Sequence, residues 1–411
     1  MHRVVVTGMG CVTPLGIGVQ PTWEALRRGQ SGVGPITRFD TTDHAVRIAA
    51  EVKGFDPDDF IDRRASRRMD LYVQYALVAS REALDDSGLV VDESNGPDVG
   101  VIMGSGIGGI QTWEREHQAL MERGPSRVSA FFIPMLISNM AAGQIAMEVG
   151  AKGPNLAVVT ACATASHAIG IGLRLVRSGE ARAIIAGGSE ASVSPLAVAG
   201  FANMKALSTR NEEPQRACRP FDRDRSGFVI AEGAGAVVLE TLEDAQARGA
   251  TIHAELLGFG MSADAFHMTQ PDPTGDGPRR AILACLGDAG VRPQEVDYIN
   301  AHAPGTPVGD EMEALVIRSV FGDRPSGLLV SSTKSMHGHL LGAGGAVELI
   351  ATIKAMKHGV VPPTLNHEHP DPAVGELDVV PGVAREHAVT VAISNSFGFG
   401  GQNATLCVRR V

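Results

Sequence analysis

The segment that best indicates the fold is an apolar run that ends in a cysteine and then a helix. It reads Leu156-Ala157-Val158-Val159-Thr160-Ala161-Cys162-Ala163-Thr164-Ala165-Ser166. Apolar residues then recur at helical spacing at Ile169, Leu173 and Val176. A thiol at the start of a helix faces unpaired N–H groups and a dipole that favours the thiolate. The junction therefore predicts a nucleophile on a strand–turn–helix elbow.

Short β-branched runs alternate with helical patterns along the whole chain, which is typical of parallel α/β architecture. The predicted strands are 3–7, 99–103, 156–160, 183–186, 235–240, 253–259, 298–300, 328–331, 390–394 and 404–408. The predicted helices are about 67–86, 164–177, 277–289, 311–321 and 342–356. A weak boundary divides the chain into an N-terminal half, 1–250, and a C-terminal half, 251–411. Because the sequence shows no repeat, similarity of the halves is inferred from the element order alone.

The composition limits the possible functions. The chain has 411 residues, 44% of them hydrophobic, which is enough for a large core, and its net charge of −10 argues against nucleic acid as a partner. Its five cysteines are irregularly spaced, which indicates reduced thiols. No run is apolar over the ~18 residues that a membrane helix needs. We therefore expect a soluble cytoplasmic protein.

Two downstream segments carry further reactive groups. They are Asn300-Ala301-His302 and Lys334-Ser335-Met336-His337-Gly338-His339. A cysteine with distant histidine partners is typical of covalent acyl transfer, although either histidine alone is equally consistent with a structural role. His337 and His339 lack a third ligand at a familiar spacing. The sequence therefore predicts no metal site and no cofactor.

Four other stretches carry weaker signals. The glycine-rich runs 104–109 and 394–401 allow close backbone approach, but they lack the acidic partner of a dinucleotide fingerprint. Residues 108–140 look irregular and are predicted to cap a cavity. A basic cluster is either a solvated helix start or a docking patch, and it consists of Arg63, Arg64, Arg67 and Arg68.

Together these segments resemble the β-ketoacyl-[acyl-carrier-protein] synthases, specifically the type II enzyme of bacterial fatty-acid synthesis. The resemblance covers essentially the whole chain. It rests on Val4-Val5-Val6-Thr7-Gly8-Met9-Gly10, Thr160-Ala161-Cys162, Arg219-Pro220-Phe221-Asp222, Gly227-Phe228, Asn300-Ala301-His302, Lys334-Ser335-Met336, Gly338-His339 and Asn395-Ser396-Phe397-Gly398-Phe399-Gly400-Gly401. It implies an α/β fold of the thiolase type, with five αβαβα layers made of two similar halves. It also implies a homodimer that acts on acyl carrier protein.

The resemblance further implies a catalytic role for each matched residue. Cys162 would take the acyl chain as a thioester, and the N–H groups of Cys162 and Phe399 would form an oxyanion hole. His302 and His339 would hold the malonyl thioester, and as neutral imidazoles they would stabilise the enolate left by loss of CO₂. Lys334 would be a structural and electrostatic lysine.

Other matched residues would support or line the site. Glu313 and Glu348 would be the acidic neighbours of Lys334. Phe399 would also gate the site, Ile107 would border the distal acyl pocket, and the arginine cluster would dock the acidic carrier protein. The remaining substrate-binding positions are Phe228 and Phe397, which would line the site, and Thr269 and Thr306, which would bind the pantetheine arm.

Three positions depart from the family pattern. Pro304 removes one hydroxyl and one backbone donor from the turn after His302, which predicts weaker pantetheine contacts. His337 places a third imidazole near the site, where it either changes the pH response of the pair or fills space. Gly344 stands where alanine is usual, and we expect it to loosen a helix turn.

Four alternatives differ from this interpretation. A ketosynthase subunit of a type II polyketide system would use the same chemistry on another product. A non-catalytic chain-length subunit would lack the nucleophile, so Cys162 argues against it. A degradative thiolase would carry a second cysteine near 397–401, and none is there. A cysteine hydrolase would need water at the acyl-cysteine, which apolar surroundings discourage.

Overall fold

The computed structural model describes residues 1–322 and 327–411. The strands are β1 Val4–Thr13, β2 Gly16–Ile17, β3 Gly34–Pro35, β4 Ile48–Ala49, β5 Val99–Gly104, β6 Asn155–Leu156, β7 Ala183–Glu190, β8 Gly233–Thr241, β9 Ala254–Ala263, β10 Tyr298–Asn300, β11 Leu329–Ser331, β12 Val360–Val361, β13 Arg385–Glu386, β14 Val391–Gly398 and β15 Gln402–Arg409. The helices are α1 Val19–Arg27, α2 Arg63–Ser66, α3 Leu71–Ser87, α4 Ile110–Arg123, α5 Phe132–Leu136, α6 Met140–Val149, α7 Thr164–Ser178, α8 Pro195–Asn203, α9 Leu242–Ala247, α10 Asp276–Ala289, α11 Pro307–Phe321, α12 Lys334–His337 and α13 Gly344–His358.

The two halves have the same sheet topology. The strand order is β6-β5-β7-β8-β1 in the N-terminal half and β11-β10-β14-β15-β9 in the C-terminal half. Numbered by position in the chain within each half, both orders are 3-2-4-5-1. In both halves the 3-2 and 2-4 pairs are parallel and the 4-5 and 5-1 pairs are antiparallel. β1 also pairs with β9, so the two sheets are continuous.

Helices α7 and α13 form the central layer of the molecule. They contact each other, and each packs on strands of both halves. Residues 344–356 of α13 are all buried, which explains why the helix is apolar or small on every face rather than amphipathic. Helix α3 covers the outer face of the N-terminal sheet, and α10 covers that of the C-terminal sheet. This arrangement confirms the predicted five layers made of two similar halves.

Three expectations from the sequence need correction. The sheet is mixed rather than parallel, because β1, β8, β9 and β15 all pair antiparallel. The helix expected over 67–86 starts later, as α3 after the N-cap Asp70, and residues 67–70 separate it from the short α2, which ends at Ser66. The strand expected over 156–160 is only the short β6, which pairs with β5 on one side.

The stretch 108–140 is also different from the prediction. It is largely helical, with α4, α5 and the start of α6, instead of irregular. In the described residues, no helix combines the length and the apolar character needed to cross a membrane.

Candidate active site

Cys162 lies in a tight turn between the end of the β6 segment and α7. The turn, residues 161–163, is a single 3₁₀ turn, and Ala161 enters it with a φ of 48°, which is a strained value for a residue with a side chain. The Thr164 hydroxyl accepts the Thr160 N–H at 2.9 Å and so fixes the entry to the turn. We call this turn the cysteine elbow.

The Cys162 thiol is buried at the wall of a cavity. Burial raises the pKa of Cys162 to about 12, and the Phe399 N–H and the charge of Lys334 offset part of that rise. Burial thus opposes the thiolate that the helix start was expected to favour. With its pKa raised in this way, the Cys162 thiol is neutral near pH 7.

The end of β14 lies directly against the cysteine elbow. A Cβ atom on Gly398 would lie 2.8 Å from the Thr160 carbonyl oxygen and 3.1 Å from the Cys162 nitrogen, so only glycine permits this approach. The approach brings the Phe399 N–H to the Cys162 sulfur. Among the described residues, the Cys162 N–H has no protein acceptor. Two backbone donors are thus available beside the thiol.

His302 and His339 face each other next to this elbow. Their ring centroids are 5.2 Å apart and the rings are nearly perpendicular, at 81°. Burial holds the pKa of each imidazole well below its usual value, and the Lys334 charge lowers it further. Both rings are therefore neutral near pH 7. A neutral imidazole can donate a hydrogen bond through its N–H group without carrying a positive charge.

His302 is positioned by a buried carboxylate. Glu313 on α11 accepts the backbone N–H of His302 at 2.9 Å and that of Ala303 at 2.6 Å, and it also accepts the Asn395 amide at 3.0 Å. Burial raises the pKa of Glu313 to about 7. The carboxylate thus joins the end of β10 to β14.

His339 is held by its backbone and by an adjacent ion pair. Its N–H donates to the Val229 carbonyl at 2.8 Å, and its own carbonyl accepts the Ala231 N–H at 3.0 Å. Lys334 lies 2.5 Å from Glu348, with both side chains buried. Both glutamates predicted beside Lys334 lie near it. Glu348 forms the ion pair, whereas Glu313 binds the His302 backbone and feels the Lys334 charge, which lowers its pKa and offsets part of the rise caused by burial.

A cavity of about 420 Å³ brings the predicted residues together. Cys162, His302 and His339 all line it. The predicted substrate-binding residues line it as well, and they are Ile107, Phe228, Thr269, Thr306, Phe397 and Phe399. Residues 108–140 contribute nothing to its lining, so the cap predicted there does not cover this cavity.

The turn that carries Pro304 is stabilised by hydrogen bonds to a buried carboxylate. The buried Asp310 carboxylate accepts the N–H of Gly305 at 3.1 Å and of Thr306 at 3.0 Å. Thr269, which also lines the cavity, donates its N–H to the His267 ring at 3.1 Å. Pro304 itself lines the cavity, where it presents no backbone donor. The turn predicted to hold pantetheine thus keeps its own hydrogen bonds, although Pro304 supplies no hydroxyl.

His337 points away from the cavity. Its Nδ1 lies 2.7 Å from the Gly338 carbonyl and its Nε2 lies 3.0 Å from the Thr333 hydroxyl, so Nδ1 donates and Nε2 accepts. Burial lowers the pKa of His337 to about 3. Both nitrogens are occupied by the protein, which favours a structural role over a metal pair with His339. At Gly344, a Cβ atom would meet nothing closer than 3.5 Å, so alanine would fit there.

All four arginines of the basic cluster are exposed. Arg63 lies 3.5 Å from Asp58, and the Arg68 guanidinium stacks 4.7 Å above the Phe131 ring. Arg64 and Arg67 make no ion pair with any described residue. The cluster therefore offers unpaired positive charge on an acidic protein.

The sequence analysis missed Glu190. This glutamate ends β7, is fully buried and lines the cavity. Phe201 and Leu341 line the cavity too and were also missed. An acidic residue that directly follows the apolar run 183–189 was the available signal, because such a residue needs buried donors.

The chain matches two family models and several known proteins. The model "Beta-ketoacyl synthase, N-terminal domain" matches residues 1–245, and "Beta-ketoacyl synthase, C-terminal domain" matches residues 253–368. A Synechocystis protein named 3-oxoacyl-[acyl-carrier-protein] synthase 2 is 50% identical over 408 residues, which are 99% of this chain and 98% of that protein. The crystal structure of a beta-ketoacyl synthase from Burkholderia phymatum STM815 is 39% identical, covers 100% of both chains and has a TM-score of 0.93. The ishigamide ketosynthase/chain length factor gives the same identity and TM-score over 100% of this chain and 99% of its own.

Proposed function

The chain belongs to the β-ketoacyl synthase family, and we propose that Cys162, His302 and His339 carry out the family's reaction. The enzyme is an acyltransferase of fatty-acid synthesis, with a thiolase-type fold, and it lengthens an acyl chain by two carbons. One observation carries the assignment of residues: a neutral thiol and two neutral imidazoles line the same cavity, next to two backbone N–H groups.

In the first half-reaction, the Cys162 sulfur attacks the thioester carbonyl of an acyl-loaded carrier protein. A carbon–sulfur bond to Cys162 forms, the bond to the carrier breaks, and the carrier leaves as a thiol with the proton from Cys162. The N–H groups of Cys162 and Phe399 stabilise the oxyanion in between, where negative charge develops. Because the resting thiol is neutral, these donors act mainly on the transition state.

In the second half-reaction, malonyl carrier protein loses CO₂ beside the two histidines. The electron pair of the broken carbon–carbon bond passes to the enolate, whose oxygen accepts hydrogen bonds from the His302 and His339 rings. The α-carbon then attacks the acyl carbonyl on Cys162. A carbon–carbon bond forms, the carbon–sulfur bond breaks, and the Cys162 thiolate takes a proton from solvent.

The test is intact-protein mass spectrometry in two stages. With acyl carrier protein alone, the wild type should gain one acyl group, and the Cys162→Ala variant should gain none. Addition of malonyl carrier protein should remove the adduct and release a β-ketoacyl product two carbons longer. His339→Ala should acylate normally but decarboxylate malonyl carrier protein about 10³-fold more slowly. Loss of acylation in His339→Ala would reassign that histidine.

The polyketide alternative is less well supported. The Synechocystis 3-oxoacyl-[acyl-carrier-protein] synthase 2 shares 50% identity with the chain, whereas the ishigamide ketosynthase/chain length factor shares 39%. The product of the assay above separates the two. Release of a product that has been extended once supports fatty-acid elongation. Release of a product that has been extended several times, with no reduced intermediate released, supports the polyketide system.

The partner of the site is acyl carrier protein, and we propose that the arginine cluster docks it. A carrier protein of acidic character would be attracted by Arg64 and Arg67, which lack protein partners among the described residues. The double variant Arg64→Glu/Arg67→Glu should raise KM for acyl carrier protein about tenfold and leave kcat unchanged. Arg292→Glu, at an exposed arginine outside the cluster, is the matched control. An unchanged KM in the double variant would return the cluster to a solvated helix start.

We also propose that the active form is a homodimer joined at β6. In the described part of the chain β6 is an edge strand that pairs only with β5, and Val159, three residues after it, is 52% exposed. A second copy could add its own edge there, as strands at open edges tend to do. Light scattering should give the mass of two chains for the wild type and for Val383→Asp, an exposed valine elsewhere. Val159→Asp should give one chain, and a dimer from that variant would contradict the proposal.

Two smaller proposals complete the assignment. All five cysteines are free thiols, which supports a cytoplasmic location, to be checked by cell fractionation.

We place the boundary between the halves at residue 250, between the end of α9 and the start of β9. Chains 1–250 and 251–411 expressed together should assemble into an active protein, and failure to assemble would contradict this boundary.

A further inference from the structure

Glu190 is a buried carboxylate with five donors and no part in the chemistry above. Oε1 accepts the Ser105 hydroxyl at 3.0 Å, the Ile107 N–H at 3.3 Å and the Ser192 hydroxyl at 3.2 Å. Oε2 accepts the Gly106 N–H at 2.9 Å and the Gly342 N–H at 3.0 Å. Five donors converge on two oxygens, which is the arrangement expected for an ionised carboxylate.

These donors come from segments that are far apart in the chain but adjacent in the cavity wall. Gly106 and Ile107 follow β5 in the N-terminal half, and Ile107 lines the cavity. Gly342 lies in the C-terminal half, directly after Leu341, which also lines the cavity. Glu190 is thus the link between two apolar wall residues, Ile107 and Leu341, that belong to different halves.

The two segments meet without any side chain between them. A Cβ atom on Gly342 would lie 2.4 Å from the Gly106 nitrogen and 2.8 Å from Oε2 of Glu190. The backbones of both segments therefore point their N–H groups at one carboxylate, and no other acceptor for these groups is present in the described residues. Glu190 is therefore the shared hydrogen-bond acceptor that joins the two segments of this wall.

We propose that Glu190 is a positioning residue that sets the acyl-chain specificity by fixing Ile107 and Leu341 at the cavity wall. This proposal rests on the proposed function. A short acyl chain on Cys162 does not need a rigid wall beyond the thioester. A long chain packs against Ile107 and Leu341. If these two side chains are mobile, binding of the long chain must order them, and the entropy lost weakens binding. The cost of loosening the wall should therefore grow with acyl length.

The test is the chain-length profile of Glu190→Gln. Glutamine has nearly the same shape, but its NH₂ group is a donor and would face backbone N–H groups, so at least one oxygen's contacts are lost. The ratio of kcat/KM for a long over a short acyl carrier protein should fall about tenfold relative to the wild type. Malonyl decarboxylation, which depends on the histidines, should stay within about twofold.

Two further variants keep the result interpretable. Glu232→Gln is the matched control, because Glu232 is equally buried, binds Arg38 and the Val52 N–H, and does not line the cavity. It should leave the ratio unchanged. Ser105→Ala removes one donor to Glu190 and the acceptor of the Gly108 N–H at 3.0 Å without changing a charge. It should lower the ratio about threefold, and it carries the test if Glu190→Gln does not fold.

The outcomes are distinct. Equal loss of kcat/KM at every chain length in Glu190→Gln and Ser105→Ala would show a general structural role and overturn the proposal. The same shift of the ratio in Glu232→Gln would also overturn it. Absence of condensation by the wild type with any acyl length would instead contradict the proposed function and would appear before any variant is compared.

Discussion

The cysteine elbow, residues 161–163, and the turn of residues 341–343 occupy the same place in the two halves. Both are 3₁₀ turns entered through a residue with a φ of 48°, Ala161 in one and Leu341 in the other. Both lead into a buried helix of 15 residues, α7 or α13. We call the second turn the glycine elbow, because Gly342 stands in it where Cys162 stands in the first.

The two elbows differ in what the opposite half brings to them. The last residue of β14, Gly398, lies against the cysteine elbow, and the last residue of the matching strand β7, Glu190, lies against the glycine elbow. In the glycine elbow the N–H of Gly342 is bound to a permanent carboxylate oxygen. In the cysteine elbow the corresponding N–H of Cys162 has no protein acceptor among the described residues. We therefore propose that each elbow is a site for an oxygen acceptor, and that the occupant decides whether the site is structural or catalytic.

The largest expected effect comes from removing the side chain that distinguishes the elbows. Cys162→Ala should reduce condensation by about 10⁴-fold or more, since removing a covalent nucleophile has effects of that size. Release of CO₂ from malonyl carrier protein should continue, because the histidines are untouched. Product analysis and CO₂ release measure the two steps, with Cys11→Ala as a buried-thiol control. Normal elongation by Cys162→Ala would rule out the covalent intermediate.

A side chain in the glycine elbow should be nearly as disruptive, but to stability. Gly342→Ala would place a Cβ atom 2.4 Å from the Gly106 nitrogen. Overpacking and a displaced hydrogen bond should lower the free energy of unfolding by about 3 kcal/mol. Two residues further on, Gly344→Ala meets nothing closer than 3.5 Å and should raise it by about 0.5–1 kcal/mol. Denaturant unfolding of both variants gives the difference, and equal stabilities would break the comparison.

The close approach of β14 can be tested at Gly398. A Cβ atom there would press on the Thr160 carbonyl at 2.8 Å and move the Phe399 N–H away from Cys162. Gly398→Ala should slow acylation of Cys162 by about 10²-fold, the effect of losing one oxyanion donor. Gly200→Ala, on α8 with open space around it, is the control. Unaltered acylation in Gly398→Ala would show that the Phe399 donor is dispensable.

The smallest effect is the pH dependence of the thiol. Because burial raises the pKa of Cys162 to about 12, the thiolate fraction should rise tenfold per pH unit throughout the neutral range. Alkylation of Cys162 by iodoacetamide, followed by peptide mass spectrometry, should show this slope from about pH 7 to 9. A plateau near neutral pH would mean that the elbow N–H groups overcome burial and that the resting enzyme carries a thiolate.

The sequence predicted the cysteine elbow and the two histidine segments because their signals are local. A strand followed by small residues and then a helix is visible at 156–166, and His302 and His339 follow similar strand ends. The mixed direction of the sheet was not predictable in this way. Val4 of β1 pairs with Thr241 of β8, and no local pattern marks a partner so far along the chain.

Glu190 and Glu313 show the other limit. The partners of Glu190 come from residues 105–107, 192 and 342, so its role appears only when the chain has folded. Glu313 lies near Lys334 as predicted, but its hydrogen bonds to the backbone of His302 and Ala303 were not predicted. A sequence can indicate that a buried carboxylate needs donors, but not which distant segment supplies them.

The pairing of β1 with β8 also has a consequence during synthesis. All ten residues of β1 are buried, and the strand cannot pair with β8 until residues 233–241 have been made. At typical rates of translation, that delay is roughly 10–50 s. Throughout it an apolar strand near the start of the nascent chain has no partner on that side. We therefore expect the protein to depend on chaperones that bind nascent chains. This dependence is not evident from the folded protein, in which β1 is paired within a continuous sheet.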